Sequence, residues 1–576
     1  MISYRIDVDD PHGHLYRVTM SVAQPADEQR LSLPVWIPGS YMVREFGRHL
    51  SGLSAAQGRR EVPLEQLDKT TWLARCSGRA ALTVSYRVYA FDTSVRTAFL
   101  DARRGFFNGT SLCLRAEGFE DAPHRLALGK LPAGWEIATA LRPAGARAFE
   151  ADGYDELVDH PVELGRFWRG SFEACGVPHE FIVAGAWPGF DGDRLLADTK
   201  RICETQIRFW HPQKHPKAPF DRYVFLLNAV EEGYGGLEHR ASTALICNRR
   251  DLPRQRMEGL PDGYVTLLGL ISHEYFHTWN VKRLRPAEFA RYDYTRENYT
   301  RLLWFFEGFT SYYDDLLLLR AGLIDGNRYV KLLAKAANAV AGTPGRHVQS
   351  VADASFDAWV KYYRADENTV NATISYYVKG SLVALALDLT LREAGGSLDG
   401  VMRRLWKASA GGPIDEAAIA AALEAEGGRS FENELAAWVH GTGELPLAEL
   451  LPAVGISVRR ERAGFGPALG LRLSEGPVTG VIVKSVLAGS PAAAAGLSAG
   501  DELLAVDGWR IRRLDDALNW IDRSRPFELT LVRDQRLQTL RLSPTADAAW
   551  TETQAWQLDD KPVRAVLAHR RGWFDG

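Results

Sequence analysis

Cysteine is scarce, and nothing in the chain looks like a targeting or membrane segment. The 576 residues include five cysteines, Cys76, Cys113, Cys175, Cys203 and Cys247, an odd and scattered set with no C-x-x-C. That argues against a disulfide framework and fits buried free thiols in a reducing compartment. The N-terminus, MISYRIDVDDPHGH, has no basic stretch and no apolar core, so no signal peptide is expected. No uncharged apolar run reaches the length of about 18 residues that a spanning helix needs; Leu382–Leu391 is interrupted by Asp388. The net charge is only −3, which gives no reason to expect nucleic acid or an anionic membrane surface as a partner. The expectation is a soluble cytoplasmic protein with neither a nucleic-acid nor a membrane partner. In that setting the sequons at Asn108 and Asn371 carry no weight.

What is present is ordinary for a globular chain: 46% apolar and 24% charged residues, with 16 tryptophans for large cores or aromatic-lined clefts. The length suggests about three or four domains. Residues 1–165 read as β-rich, with strand patterns at Ile2–Val8, Leu15–Val22, Leu31–Ile37, Ala81–Ala90 and Ser111–Arg115 and turn signals at Pro38-Gly39 and Asn108-Gly109. The turn Phe106-Phe107-Asn108-Gly109 is a candidate wall for a substrate cleft, because conspicuous loops often carry function. Residues 166–325 mix helix and strand, 326–450 are mostly helical, 455–545 form a small module of short strands and two helix-like stretches, and 546–576 make a less defined tail.

The strongest chemical signal is ISHEYFHTWN, Ile271–Asn280, which contains the H-E-x-x-H pattern His273, Glu274, His277. The preceding YVTLLGLI is apolar and reads as a buried helix running through the motif to near Lys282, before Arg285-Pro286 breaks it. Residues four apart on a helix are offset by about 40°, so both imidazoles can reach one Zn²⁺. Glu274 lies about 100° round, poorly placed as a third ligand but able to reach a water. The plainer alternative is two buried histidines making core hydrogen bonds.

A third ligand is sought on a helix expected from Thr295 to Arg320, where Glu297 and Glu307 compete. Thr310, Ser311 and Asp314 follow Glu307 on roughly one face, and such groups orient metal ligands from behind. Arg301 stands at the matching offset from Glu297, and a cation there would oppose the metal. Glu307 is therefore preferred, with Asp314 as an outer carboxylate. Upstream, Gly235 and Gly236 precede Leu237-Glu238-His239 between strand candidates. Glycines there let another backbone approach closely, so an edge strand could pair with an extended peptide beside Glu238; a hairpin with a surface glutamate is the bland alternative. Ser375–Gly380 (SYYVKG) follows a Trp/Tyr-rich loop and could project a phenol into a cleft, or merely pack its tyrosines.

Taken in order, WIPGSYMVREF (Trp36–Phe46), GFFNGTSL (Gly105–Leu112), GGLEH, HEYFHTWNVKRLRP, EGFTSYY (Glu307–Tyr313) and SYYVKG resemble the glycyl aminopeptidase family, gluzincin metallopeptidases with a C-terminal PDZ domain. The resemblance implies a multidomain α+β protein with an N-terminal β-rich domain, a thermolysin-like catalytic domain, a helical domain and a PDZ domain. It implies one zinc per chain on His273, His277 and Glu307, Glu274 as general base, and Tyr377 rather than Tyr376 as the oxyanion donor. Glu238, with Gly235 and Gly236, would hold the free α-ammonium of a peptide substrate, although His239 stands where the related exopeptidase motif has Asn. The implied activity is removal of N-terminal Gly or Ala. GSPAAAAGL and the later Asp-Gly turn resemble bacterial PDZ domains, with Ala468-Leu469-Gly470-Leu471 as the loop for a peptide C-terminus. The competing expectations are a thermolysin-like endopeptidase and a catalytically silent PDZ-containing binding protein.

Overall fold

Alternating apolar and polar residues in Ile2–Asp10 and Leu15–Val22 make two strands that pair antiparallel, Tyr4 opposite Met20 and Ile6 opposite Val18. One face of the pair, including Ile2, Tyr4, Ile6, Tyr16, Val18 and Met20, is buried. These strands lie at the centre of an eight-stranded sheet, with His124–Leu128 added parallel to the first. The computed structural model describes residues 1–476 and 478–576, and the chain divides into two compact units.

The first unit comprises Met1–Tyr299 with Ala321–Leu323 and Leu405–Ile414. Besides the β-rich region it contains a five-stranded sheet in the order Trp168–Ala174, Val177–Ala184, Tyr223–Val230, Ser242–Asn248, Gly235–Glu238. Tyr223–Val230 is buried almost end to end, as a strand covered on both faces must be. Gly235–Glu238 forms one edge, paired antiparallel with Ser242–Asn248. Helix Gly192–Trp210 begins at Asp191, whose side chain accepts from the Arg194 N–H. It meets helix Asp262–Phe276 through Gln206, whose Nε2 donates to the carbonyl and hydroxyl oxygens of Ser272.

The second unit comprises Thr300–Arg320, Ile324–Arg404 and Asp415–Gly576. Its helices Gly308–Arg320 and Val378–Glu393 cross where Gly308 meets Gly380. A Cβ built on Gly308 would lie 2.6 Å from the Gly380 Cα, and one on Gly380 would lie 2.9 Å from the Gly308 Cα. Only glycine permits that approach. Further along the chain, Leu471–Gly476, Gly480–Val486, Glu502–Val506, Phe527–Arg533 and Arg536–Leu542 form a sheet around a separate small core.

Several expectations need correction. The strand expected over Leu31–Ile37 is Glu28–Ser32, because Pro34 cannot donate to a ladder. Ser111–Arg115 is not a strand: Gly109–Leu112 is a helical turn and the strand is Arg115–Ala116. The helix expected from Thr295 starts at Leu303 and is interrupted at Glu307. Asp293 accepts from the Thr295 N–H and hydroxyl, and Asn298 donates to the Asp293 carbonyl, so side chains hold this stretch as a turn. The helix of the histidines ends at Phe276, not near Lys282. The segment 546–576 is well defined. Glu552–Leu558 pairs along its length with Ile456–Arg462, and helix Arg564–Phe574 places Trp573 fully buried, its Nε1 donating to the Tyr312 hydroxyl at 2.8 Å. None of the described helices is long and apolar enough to cross a membrane.

The glycine crossing makes a stability prediction. Gly308→Ala should cost about 1–3 kcal/mol through overpacking, read as a lower Tm in calorimetry; an unchanged Tm would show that the two helices separate freely.

Candidate active site

Helix Asp262–Phe276 delivers His273 in its last turn and His277 as its C-cap. Their Nε2 atoms are 3.0 Å apart, with the rings edge to face at 86°. His277 Nδ1 lies 2.8 Å from the Asn280 carbonyl oxygen. That acceptor requires the proton on Nδ1 and leaves the Nε2 lone pair turned towards His273. The carbonyl reaches the ring because the chain turns sharply after the helix, with Val281 at φ 118°. Such a conformation in a β-branched residue costs on the order of 1–3 kcal/mol and persists only when its surroundings fix it. Here the Val281 N–H donates to Leu284 O at 2.6 Å and the Lys282 N–H to His277 O at 3.0 Å.

The Lys282 ammonium is buried and donates to Asp159 Oδ1 at 2.6 Å. Asp159 also accepts from the backbone N–H and Nε of Arg240, and its Oδ1 is 3.2 Å from His239 Nδ1. Burial alone would raise its pKa, but Lys282, Arg240 and His239 hold it well below the ordinary value of 3.8. One buried carboxylate thus fastens both the turn after the histidine helix and the residues that follow Glu238.

Glu238 ends the edge strand. It is 4% exposed, and its Oε1 is buried without a hydrogen-bond partner. The turn Ile37–Ser40 lies against it: Pro38-Gly39 is closed by the Ser40 N–H donating to Ile37 O at 3.0 Å, with Gly39 at φ 91°. A type II turn needs glycine at this point, and any Cβ on Gly39 would overlap the Glu238 carboxylate. Two residues back, a Cβ on Gly236 would overlap the carboxylate of Glu274, which is 5% exposed. Gly39 in the turn and Gly236 in the edge strand therefore each admit a carboxylate where a side chain would exclude it.

In the second unit, Glu307 precedes the glycine crossing on one helix and Tyr377 precedes it on the other. Desolvation and then the Glu307 charge hold the Tyr377 phenol well above its ordinary range, so it stays a donor. Tyr362 stacks on Tyr377 at 5.3 Å, and the Tyr363 and Tyr377 hydroxyls are 3.4 Å apart. Tyr376 is fully buried. Asp314 is half-buried, and its Oδ1 accepts from the Asp315 N–H at 2.6 Å. Glu297 lies outside any helix.

Among the described residues, one set of three or more His, Cys, Asp or Glu side chains could hold a metal: His273, His277 and Glu307, whose ligand atoms lie within 4.8 Å of one another. Two imidazoles and a carboxylate are a donor set that zinc takes, and neighbouring ligand atoms in a tetrahedral zinc site are about 3.3 Å apart. The facing Nε2 atoms and the fixed His277 tautomer fit that ion. Asp159 carries no local sequence signal, and Tyr362 and Tyr363 were legible only as part of the Trp/Tyr-rich loop before Ser375. Pro38-Gly39 was legible as a turn, but nothing in it pointed to Glu238.

The profile of the Peptidase M61 N-terminal domain matches residues 3–166, that of M61 glycyl aminopeptidase residues 266–383, and that of a PDZ domain residues 482–533. The chain is similar over its whole length to an aminopeptidase N family protein from Idiomarina loihiensis, with 37% identity, 100% of both chains covered and a TM-score of 0.93. It is more distantly similar to an M1 zinc metallopeptidase from Deinococcus radiodurans, with 16% identity, 77% of this chain and 94% of that one covered, and a TM-score of 0.47. No curated protein matches the chain.

The buried cluster makes a prediction about acid. Asp159 has a folded pKa below its unfolded one, so its contribution is complete above the ordinary value of 3.8 and is lost as pH falls through the folded value. Asp159→Ala, which strands Lys282, should cost about 3–5 kcal/mol at neutral pH. In Asp159→Asn the loss of Tm between neutral pH and pH of about 3 should be shallower than in the parent; parallel Tm profiles would refute the assignment.

Proposed function

Because the chain belongs to the M61 glycyl aminopeptidase family and is a metallo-aminopeptidase, we propose which residues carry the reaction and why it starts from the N-terminus. His273, His277 and Glu307 hold one Zn²⁺, with Asp314 as an outer carboxylate. The ion, when bound, supplies a Lewis acid that polarises the scissile carbonyl and acidifies water. Glu274, packed against Gly236, takes the proton from the attacking water and passes it to the leaving amine. Tyr377 donates a hydrogen bond to the carbonyl oxygen as negative charge develops there.

The observation that carries the exopeptidase reading is the buried Glu238 oxygen with no hydrogen-bond partner, walled by the Pro38-Gly39 turn. A buried carboxylate oxygen is costly unless something cationic meets it. The α-ammonium of a peptide supplies that cation, two strand residues from the point where Glu274 packs. With the amine fixed there, the cleaved bond is the first one. Membership of the glycyl aminopeptidase family supports Gly or Ala as the removed residue. Neither an endopeptidase nor a catalytically silent binding protein is favoured by the family.

The C-terminal PDZ domain has an edge strand, Leu471–Gly476, preceded by a helical turn ending at Gly470 with φ 75°. That arrangement suits a peptide C-terminus added as a further strand. The five free cysteines suit a cytoplasmic location.

A scan of aminoacyl-p-nitroanilides should show turnover abolished by a chelator and restored by zinc, with Gly and Ala preferred; chelator-resistant turnover would overturn the metal assignment. Glu274→Gln should retain one equivalent of zinc while kcat falls by about a thousandfold or more. Near-parental turnover would remove Glu274 from the role of base. Tyr377→Phe should lower kcat more than it raises KM, since its bond strengthens in the transition state; a pure KM effect would reassign it to ground-state binding.

A further inference from the structure

Arg96 is a half-buried arginine with an unusual set of neighbours. Its Nη2 donates to the Gly236 carbonyl at 3.1 Å, and its Nε is buried with no acceptor. No carboxylate among the described residues forms an ion pair with it, whereas Arg104, from the same region, is clamped by both oxygens of Glu163. The backbone that carries the guanidinium is held in place by its neighbours. Asn108, fully buried in the GFFNGT turn, donates its Nδ2 to the carbonyls of Val95 and Thr97, the residues on either side of Arg96. The Arg96 N–H donates to the Ser94 hydroxyl at 3.2 Å, and the Thr97 hydroxyl lies within bonding distance of the Asp92 and Ser94 carbonyls. A buried asparagine and a folded loop are thus spent on presenting one cation.

The place of presentation is informative. The edge strand runs from Gly235 to Glu238. Glu238 stands at one end, Glu274 packs against Gly236, and Arg96 binds the Gly236 carbonyl, its Nη1 3.5 Å from a Cβ built on Gly235. A peptide extended along this edge would use such carbonyls for its own hydrogen bonds. Arg96 has already taken one, so a substrate leaving the Glu274 position meets a guanidinium within about one strand repeat of 3.3 Å. The carboxylate of a dipeptide lies about one residue, 3.8 Å, beyond the bond to be cleaved. Guanidinium is the side chain whose fork matches a carboxylate.

We infer that Arg96, held by Asn108, is a specificity-determining residue that binds the C-terminal carboxylate of dipeptide substrates, at the opposite end of the edge strand from Glu238. This rests on the aminopeptidase reading above. The strand then carries a cation site and an anion site spaced for a small zwitterion, and longer peptides must displace Arg96 from Gly236.

The test compares Gly-Leu with Gly-Leu-amide as substrates of the full-length, zinc-loaded protein and of two variants. The parent should favour the free acid. Arg96→Ala, and Arg96→Gln, which keeps a donor for Gly236 but no charge, should each lose about ten- to a hundredfold in kcat/KM on the acid. Both should keep the amide rate within about threefold, a change too small to register a lost ionic contact. Equal losses on acid and amide would make Arg96 a brace for the strand, and unchanged acid rates would make it irrelevant; either overturns the proposal while leaving the aminopeptidase reading intact. A parent that cleaves neither substrate overturns that reading and the role of Arg96 with it.

Discussion

The carboxylate of Asp159 is the constraint on which the arrangement of the first unit depends. It has no bulk water to solvate it and is sustained by three partners, Lys282, Arg240 and His239. Two of these belong to the sequence just after Glu238, and the third to the turn that brings the Asn280 carbonyl under His277. Ionising a buried acid among cations is worthwhile only when geometry and hydrogen bonds are nearly complete. The same carboxylate therefore sets the position of the edge strand and of the strained Val281 turn together. Removing its charge leaves the buried Lys282 ammonium without its hydrogen-bonded carboxylate, which is why it cannot be treated as an ordinary surface pair.

The second unit solves its positioning problem by packing rather than by charge. Glu307 and Tyr377 each stand one or a few residues ahead of a glycine, and the two glycines touch. With no side chain between them, the helices approach far enough for a carboxylate and a phenol to influence each other. Backbone contact of this kind is short, rigid and insensitive to pH, which suits the roles proposed for Glu307 as a ligand and Tyr377 as a hydrogen-bond donor. The two carboxylates of the edge strand region use glycine in the same way. Gly39 clears space for Glu238, and Gly236 clears space for Glu274. In each of these cases a proposed site residue stands where a nearby residue carries no Cβ.

Much of this was legible in the sequence, and the parts that were not share a cause. His273, Glu274 and His277 follow from helical spacing, which needs no tertiary information. Glu307 could be preferred over Glu297 from neighbouring polarity on one helix, even though that helix starts eight residues later than Thr295 suggested, at Leu303. Its true start depends on Asp293 and Asn298 side chains that compete for backbone groups. Asp159 was invisible because its partners lie far along the chain, and an isolated Asp after a short helix looks like any other. Arg96 and Asn108 were half-legible: the GFFNGT turn stood out, but its purpose is a cation twelve residues earlier. The segment 546–576 read as loosely defined because Trp556 and Trp573 are spaced for a strand and a helix whose partners lie elsewhere in the second unit.

The central claim of the proposal is directional: the site would work from a free N-terminus because the buried Glu238 Oε1 has no hydrogen-bond partner and a substrate ammonium would supply one. The most direct measurement is the ratio of kcat/KM for Gly-p-nitroanilide to that for its N-acetylated form, using intact zinc-loaded protein. Losing the ammonium that meets a buried carboxylate oxygen should cost about 3–5 kcal/mol, so the free amine should be favoured by at least about a hundredfold. Comparable rates on the two substrates would contradict the account.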